Sequence, residues 1–254
     1  MALAVDFLLQ LATLFAVAYA VNVAAYFGFG ALLLRWNVRH PDRRIQPDRD
    51  GLKRARAEQR ESLRSIAVTA LCLALALTLQ DRGLTLWSPW TGFWGFIAGF
   101  AALVVLYDAW FYWSHRLLHT RPFYRFHHWH HRSIAPTVWS SDSQTVVETA
   151  MIQLFQVAAV VLLPVGPLAL IAHRVYDHVN GQLGHAGHEY FADPTTRHPS
   201  PMVCTTFHDQ HHELFTWNYA NYFSFWDRVM GTLHPDYDGK VKAAENRGAA
   251  TPAE

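Results

Sequence analysis

The sequence predicts an all-α integral membrane protein with about four membrane-embedded helical segments and a cytosolic helical cap. Three observations predict it. Hydrophobic residues fill 51% of the 254 positions and charged residues only 16%, against about a quarter charged in ordinary soluble proteins. The apolar residues are gathered into long runs separated by polar stretches. Histidines recur three and four residues apart, the spacing that places side chains on one helix face. The formal net charge of +1 gives no reason to expect a nucleic-acid partner, and no basic stripe interleaves with aromatics as an RNA-binding sheet needs.

Taken in order, Phe7 to Leu34 is almost wholly apolar, and about 20 helical residues at 1.5 Å each span a bilayer core. A cleaved signal peptide is the rival reading, because AVAYA offers small residues for cleavage. Asp6, the lack of Lys or Arg ahead of the run and its continuation past that point favour a retained span. Gly28-Phe-Gly30 lacks a third glycine and reads as helix packing, not as a dinucleotide loop. Arg35 to Arg64 carries ten Lys or Arg against five Asp or Glu, which places it in the cytosol by the positive-inside rule. Ile66 to Leu79 is a second apolar run, short for a span unless part of Thr78 to Leu86 joins it. The Gln80 to Pro89 loop carries only Asp81 and Arg82 and reads as non-cytosolic, with Trp87, Trp90 and Trp94 as an aromatic belt. Phe93 to Trp113 crosses back and delivers His115 and His119 to the side of the basic loop. Val146 to Ala172 is broken by Pro164-Val-Gly-Pro167 and predicts a helical hairpin or kinked pair. Residues 193–201 form a proline-rich loop. The expected organisation is a membrane anchor with its basic loop over 1–100, a catalytic unit over 101–236 and a disordered polar tail over 237–254.

The chemistry lies in four histidine clusters: His115 with His119; His127, His130 and His131; His185 with His188; and His208, His211 and His212. Imidazole nitrogen suits iron, zinc and copper. Ten histidines exceed what one ion binds, since a structural zinc takes about four ligands. The count points to two metals, or to one metal with an unusually large surrounding shell. No HExxH and no paired ExxH is present, which argues against a zinc protease of that kind and a carboxylate-rich di-iron bundle. His128 is off the face of its neighbours, and His173 and His178 read as satisfied buried histidines. Glu189 and Asp209 are candidates to orient imidazoles through their second nitrogen. Asp227 supports the site from beneath, in the simplest account as an Asp-Arg pair with Arg228 that locks the last helix. Cys72 and Cys204 form no CxxC or iron-sulfur spacing, so electrons for oxygen chemistry must come from another protein.

The ordered set YWSHRLLH (Tyr112 to His119), FHHWHHRS (Phe126 to Ser133), LGHAGHE (Leu183 to Glu189), FHDQHH (Phe207 to His212), Asn218-Tyr219 and WDRVMGT (Trp226 to Thr232) resembles the fatty acid hydroxylase/sterol desaturase superfamily of integral membrane oxygenases. The resemblance covers roughly Ala101 to His234. It implies two Fe ions held by the ten histidines above, with zinc a possible substitute in purified protein. It further implies O2 as co-substrate, a membrane lipid as substrate, and an external reductase with a cytochrome- or ferredoxin-type carrier. The active site is then on the cytoplasmic face of a multi-pass protein. Sterols, fatty acyl chains, alkyl ethers and carotenoids, and both hydroxylation and desaturation, fall within the resemblance. His185 occupies its middle position, whereas His188 departs from a pattern that usually has an aromatic there. Two other classes compete. A di-zinc hydrolase would need a base, for which Glu189 and Asp209 are the nearby carboxylates. A metal transporter would need polar residues inside the spans, and by sequence the spans have almost none.

Overall fold

The computed structural model describes residues 2–250, and all regular elements among them are helical. Five long helices form a bundle: α1 (Ala2–Arg39), α2 (Ala55–Asp81), α3 (Gly92–Leu118), α5 (Val146–Leu162) and α6 (Pro167–Gly184). Short elements fill the cap: α4 (Tyr124–His127), α7 (Thr205–Leu214), α8 (Phe225–Met230) and α9 (Tyr237–Ala250). Three helices, running over Leu3–Arg39, Gly51–Asp81 and Gly92–Leu118, are long and apolar enough to cross a membrane, and Val146–Leu162 is a shorter apolar helix.

Hydrogen bonds fix the relative directions. Gln10 near the start of α1 bonds Asp81 at the end of α2, so these two helices are antiparallel. Gln80 donates to the Val165 carbonyl and the Trp90 N–H to that of Pro164. The α5–α6 turn therefore lies at the same end as the loop between α2 and α3. The breaker behaves as its chemistry requires: α5 stops at Leu162, and Pro167 opens α6 where its missing N–H costs no helix bond. At the opposite end, the C-termini of α1, α3 and α6 meet the N-termini of α2 and α5, and there the histidines gather. Thr145 caps α5 by accepting from the Glu148 N–H, a T-x-x-E start.

The outer faces are apolar. Leu8, Trp94 and Val105 are 61%, 77% and 61% exposed, a display that suits lipid rather than water. The inner faces differ from the sequence expectation. Asn22, Ser62, Ser65, Thr69, Asp108, Gln153, Gln156, Arg174 and Asp177 are all buried, so the long helices do carry polar groups inward, masked in sequence by their apolar outer faces. Several of these groups partner one another, as in Arg174 with Asp177 at 2.5 Å and Ser65 with Thr149 at 3.0 Å, and others use the backbone, as where Asp108 accepts from the Tyr222 N–H; such partners make their burial tolerable. Gly30 acts as a packing residue, since a Cβ there would lie 2.7 Å from the Trp139 ring, whereas Gly28 faces open space.

The tail expected to be disordered from residue 237 is helical through Ala250. Tyr237 and Val241 are fully buried, and the Tyr237 hydroxyl donates to the Thr196 carbonyl. The polar composition concealed an i, i+4 apolar pair. Residues 251–254 of that expected tail lie outside the described residues.

Candidate metal centre

The histidine boxes converge although they come from separate elements. α3 ends at the site, carrying His115 on its last turn and His119 at its C-cap. The second box is a single α-turn followed by a 3-10 turn at His130–Arg132, not one continuous helix. Its helical backbone still sends His127 and His131 to one side and His130 to the other. α6 ends at His185, and α7 carries His208, His211 and His212.

Nine of the ten predicted ligands form two groups. His115, His119, His127, His131 and His211 make one, and His130, His185, His208 and His212 the other; within each, the candidate ligand atoms lie within 4.8 Å of one another. The second and fourth boxes each serve both groups, so neither group is the property of one box. His188 is the exception. The backbone of residues 186–189 pairs with that of 43–45, through Ile45 N–H to the Gly187 carbonyl and Glu189 N–H to the Arg43 carbonyl. Gly187 adopts φ +70°, where a Cβ would meet the Pro136 carbonyl at 2.6 Å. This turn places His188 against Arg44 in a separate cavity of about 220 Å³ with Leu34, Asn37 and Gln46.

Whether the residues fit metal can be read from their protons. The Nδ1 atoms of His115, His211, His185 and His130 face the carbonyls of Tyr219 (2.7 Å), Trp217 (2.6 Å), Gly181 (2.6 Å) and Ser143 (3.3 Å). A carbonyl only accepts, so each Nδ1 bears the hydrogen and each neutral ring presents a bare Nε2. The bare Nε2 atoms of His130 and His185 then face each other at 3.2 Å. Facing lone pairs at that distance repel unless a cation lies between them, and ligands about 2.1 Å from one ion sit roughly 3 Å apart when adjacent. The same closeness recurs at His115–His127 (3.0 Å), His119–His131 (3.0 Å), His131–His211 (3.1 Å) and His185–His208 (2.9 Å). The donor set therefore fits two nitrogen-ligated cations.

Electrostatics agree. Burial first, and neighbouring imidazoles second, push His127, His131 and His212 well below the usual histidine range. His119 is pushed down to about 2 and His185 to about 4, again chiefly by burial. All are neutral at physiological pH, the form that ligates.

The expected supporting carboxylates act differently from expectation. Glu189 touches no imidazole; it accepts from the N–H groups of Thr206 and Phe191 and caps the start of α7. Asp209 accepts from Gln46 on the far side of α7, and burial pushes its carboxyl up to about 7. Asp227 does not pair with Arg228, which bonds Asp238. Asp227 instead accepts from Tyr219 N–H, Ala220 N–H and Thr232 hydroxyl, fixing the loop whose Tyr219 carbonyl orients His115. Asn218, at φ +58°, holds the same loop through the Phe207 carbonyl and His234 N–H.

The carboxylate that does reach a site histidine is Glu148, fully buried, with Oε1 2.7 Å from His127 Nδ1. Sequence reasoning passed over it. The available signal was a lone acid in an otherwise apolar helix, three residues after a capping threonine.

The fatty acid hydroxylase profile matches residues 100–232. Among curated proteins, the chain is 31% identical over 130 residues to methylsterol monooxygenase 1 of Gallus gallus, covering 50% of this chain and 43% of that protein. It is 29% identical over 163 residues to a methylsterol monooxygenase of Aspergillus fumigatus, covering 60% and 53%. It is 29% identical over 136 residues to cholesterol 25-hydroxylase of Rattus norvegicus, covering 51% and 45%. The chain thus spans about half the length of the curated relatives it matches, and no solved structure matches it significantly. The matched residues hold every histidine of the two groups, and on that match the chain belongs to the fatty acid hydroxylase family.

Proposed function

We propose that this protein is a membrane-bound, O2-dependent non-haem di-iron oxidoreductase that hydroxylates a lipid, with a sterol-like or fatty acyl substrate, or desaturates it. The observation that carries this reading is the pair of converging nitrogen groups, whose bare Nε2 atoms need two cations to be stable. His115, His119, His127, His131 and His211 would hold one iron, and His130, His185, His208 and His212 the other. Bound there, the irons supply O2 activation and the oxidising power to attack an unactivated C–H bond.

The chain's own residues prepare that chemistry. Neutral imidazoles leave the metals electrophilic, and backbone carbonyls lock the tautomers that present Nε2. A small cavity of about 60 Å³ adjoins both groups, bounded by His115, His130, Tyr107, Glu148, Ile152 and Arg174. A space of that size would hold only a few water molecules beside the metals. The hydrolase alternative loses support, because Glu189 and Asp209, its candidate bases, are turned to other tasks.

Isotopic O2 tests the reaction. Purified protein alone is expected not to turn over; with O2, iron and an electron-transfer chain it should oxidise a membrane lipid. Label retained in the lipid marks hydroxylation, and label only in water marks desaturation. Turnover without O2, or full activity with zinc in place of iron, would remove the oxygenase reading.

In the membrane we place the histidine end and the basic Arg35 to Arg64 segment in the cytosol, with the Gln80 to Pro89 loop and the α5–α6 turn on the far side. Three full spans and the shorter α5–α6 hairpin then make about four embedded segments. A cysteine placed at Arg132 should resist impermeant reagents added from outside, and one at Leu84 should react. The reverse pattern inverts the arrangement.

A further inference from the structure

The cavity of about 220 Å³ that receives His188 is separate from the metal centre, since none of the nine converging histidines lines it. Its walls are mostly apolar, with Leu34, Val38, Leu52, Pro136 and Val138 among them. A Cβ at Gly51 would run into the Ala135 carbonyl, and one at Gly187 would meet that of Pro136 at 2.6 Å. The loops around the cavity are therefore already packed backbone to backbone, and the space between them is preformed. Val38 and Leu52, 74% and 47% exposed, bring it to the surface.

Its polar lining is one-sided. Asp209 Oδ2, Gln46 Oε1 and His188 Nδ1 are all buried without a hydrogen-bond partner. The Gln46 amide is fixed in orientation, because its Nε2 donates both to Asp209 Oδ1 at 2.8 Å and to the Ile134 carbonyl at 2.9 Å. Its Oε1 is thus an acceptor, as an ionised carboxylate is and as a neutral imidazole nitrogen can be. Asp209 is 1% exposed, and its side-chain partner is an amide, not a cation. The other charges nearby are engaged elsewhere: Lys240 with Glu213 at 3.5 Å, Asp50 with Lys53 at 3.9 Å, and Arg44 with the Arg49 carbonyl. A buried carboxylate beside two further acceptors is matched by one group that is both cationic and rich in N–H donors.

We propose that this cavity binds a primary ammonium group on a short apolar stem, with Asp209 Oδ2 and Gln46 Oε1 accepting two of its N–H donors and His188 Nδ1 open to the third. The volume corresponds to about seven water-sized groups at ~30 Å³ each, which is the scale of hexylamine. A divalent cation fits less well, because it takes about six oxygen ligands and this lining is mostly carbon. The site is independent of the reaction read above, since it shares no residue with the metal groups.

The full chain, metal-loaded in phosphatidylcholine nanodiscs, is titrated with hexylamine by calorimetry, and discs without protein are subtracted. One saturable site per chain is expected. Hexanol lacks the charge and hexyltrimethylammonium lacks the N–H donors, so each should bind at least about 10-fold more weakly. Asp209→Asn should weaken hexylamine by about 10-fold. Leu52→Trp, which crowds the mouth and leaves the polar floor intact, should weaken it as well. Metal content equal to wild type in both variants separates lost binding from a disturbed α7. Should Asp209→Asn shed metal, Leu52→Trp and the three-ligand series decide the question. No saturable binding, or equal binding of hexanol and hexylamine, would overturn the proposal. So would a Kd unchanged in Leu52→Trp and Asp209→Asn, which would put the amine at the metals instead, or displacement of hexylamine by stoichiometric calcium alone.

Discussion

Replacing His131 with alanine is expected to lower bound metal by more than a single missing ligand would. His131 Nε2 is 3.0 Å from that of His119 and 3.1 Å from that of His211, so one imidazole closes contacts among three boxes. Its loss should reduce activity by more than the roughly 10–100-fold typical of removing a group one bond further from a metal. Because a bound ion stabilises only the folded chain, the melting temperature of the metal-loaded protein should fall by roughly 5–10 °C. His212→Ala should do the same through the other group, where both ring nitrogens are buried without a protein partner. His128→Ala, an exposed neighbour outside both groups, should leave metal content unchanged. Metal analysis of each purified variant checks this. Two tightly held metals in the His131 and His212 variants would defeat the shared-ligand arrangement.

Much of this architecture was legible in the sequence because it depends on local spacing. The i, i+3, i+4 rule marked His127, His130 and His131 as one structural unit, and it holds even though that unit is a broken turn. The proline pair at Pro164 and Pro167 marked the hairpin. The rule does not say which of two metals each ring serves, since that depends on how α3, α6 and α7 dock. Long-range backbone pairing was equally invisible, and it is what carries His188 to Arg44 and away from the centre. Supporting groups were the least legible. Glu189, Asp209 and Asp227 lie near histidines along the chain, yet their oxygens accept from Thr206, Gln46 and Tyr219 instead. The group that reaches a site histidine, Glu148, is 21 residues from His127. Four of the orienting groups are backbone carbonyls that no side-chain motif records.

Glu148 therefore offers the sharpest test of how the site is held. With alanine at this position, the Nδ1–H of His127 is left buried with no acceptor, at a cost of about 1–3 kcal/mol. The ring is also freed to turn or to exchange tautomers, and a ring protonated at Nε2 cannot ligate through the atom that faces the site. Removing such an orienting partner typically lowers metal affinity by about 10–100-fold. Glu148→Ala should accordingly release metal from the group of His115, His119, His127, His131 and His211 to a chelator first, with the other group following more slowly. Glu148→Gln keeps an accepting oxygen where the carboxylate was but removes its charge, so it should restore most of the stability and only part of the affinity. The ordering wild type, then glutamine, then alanine, read in chelator-release rates, separates orientation from charge. An alanine variant that holds metal as tightly as wild type would show that His127 is positioned by its packing alone, and Glu148 would lose its role.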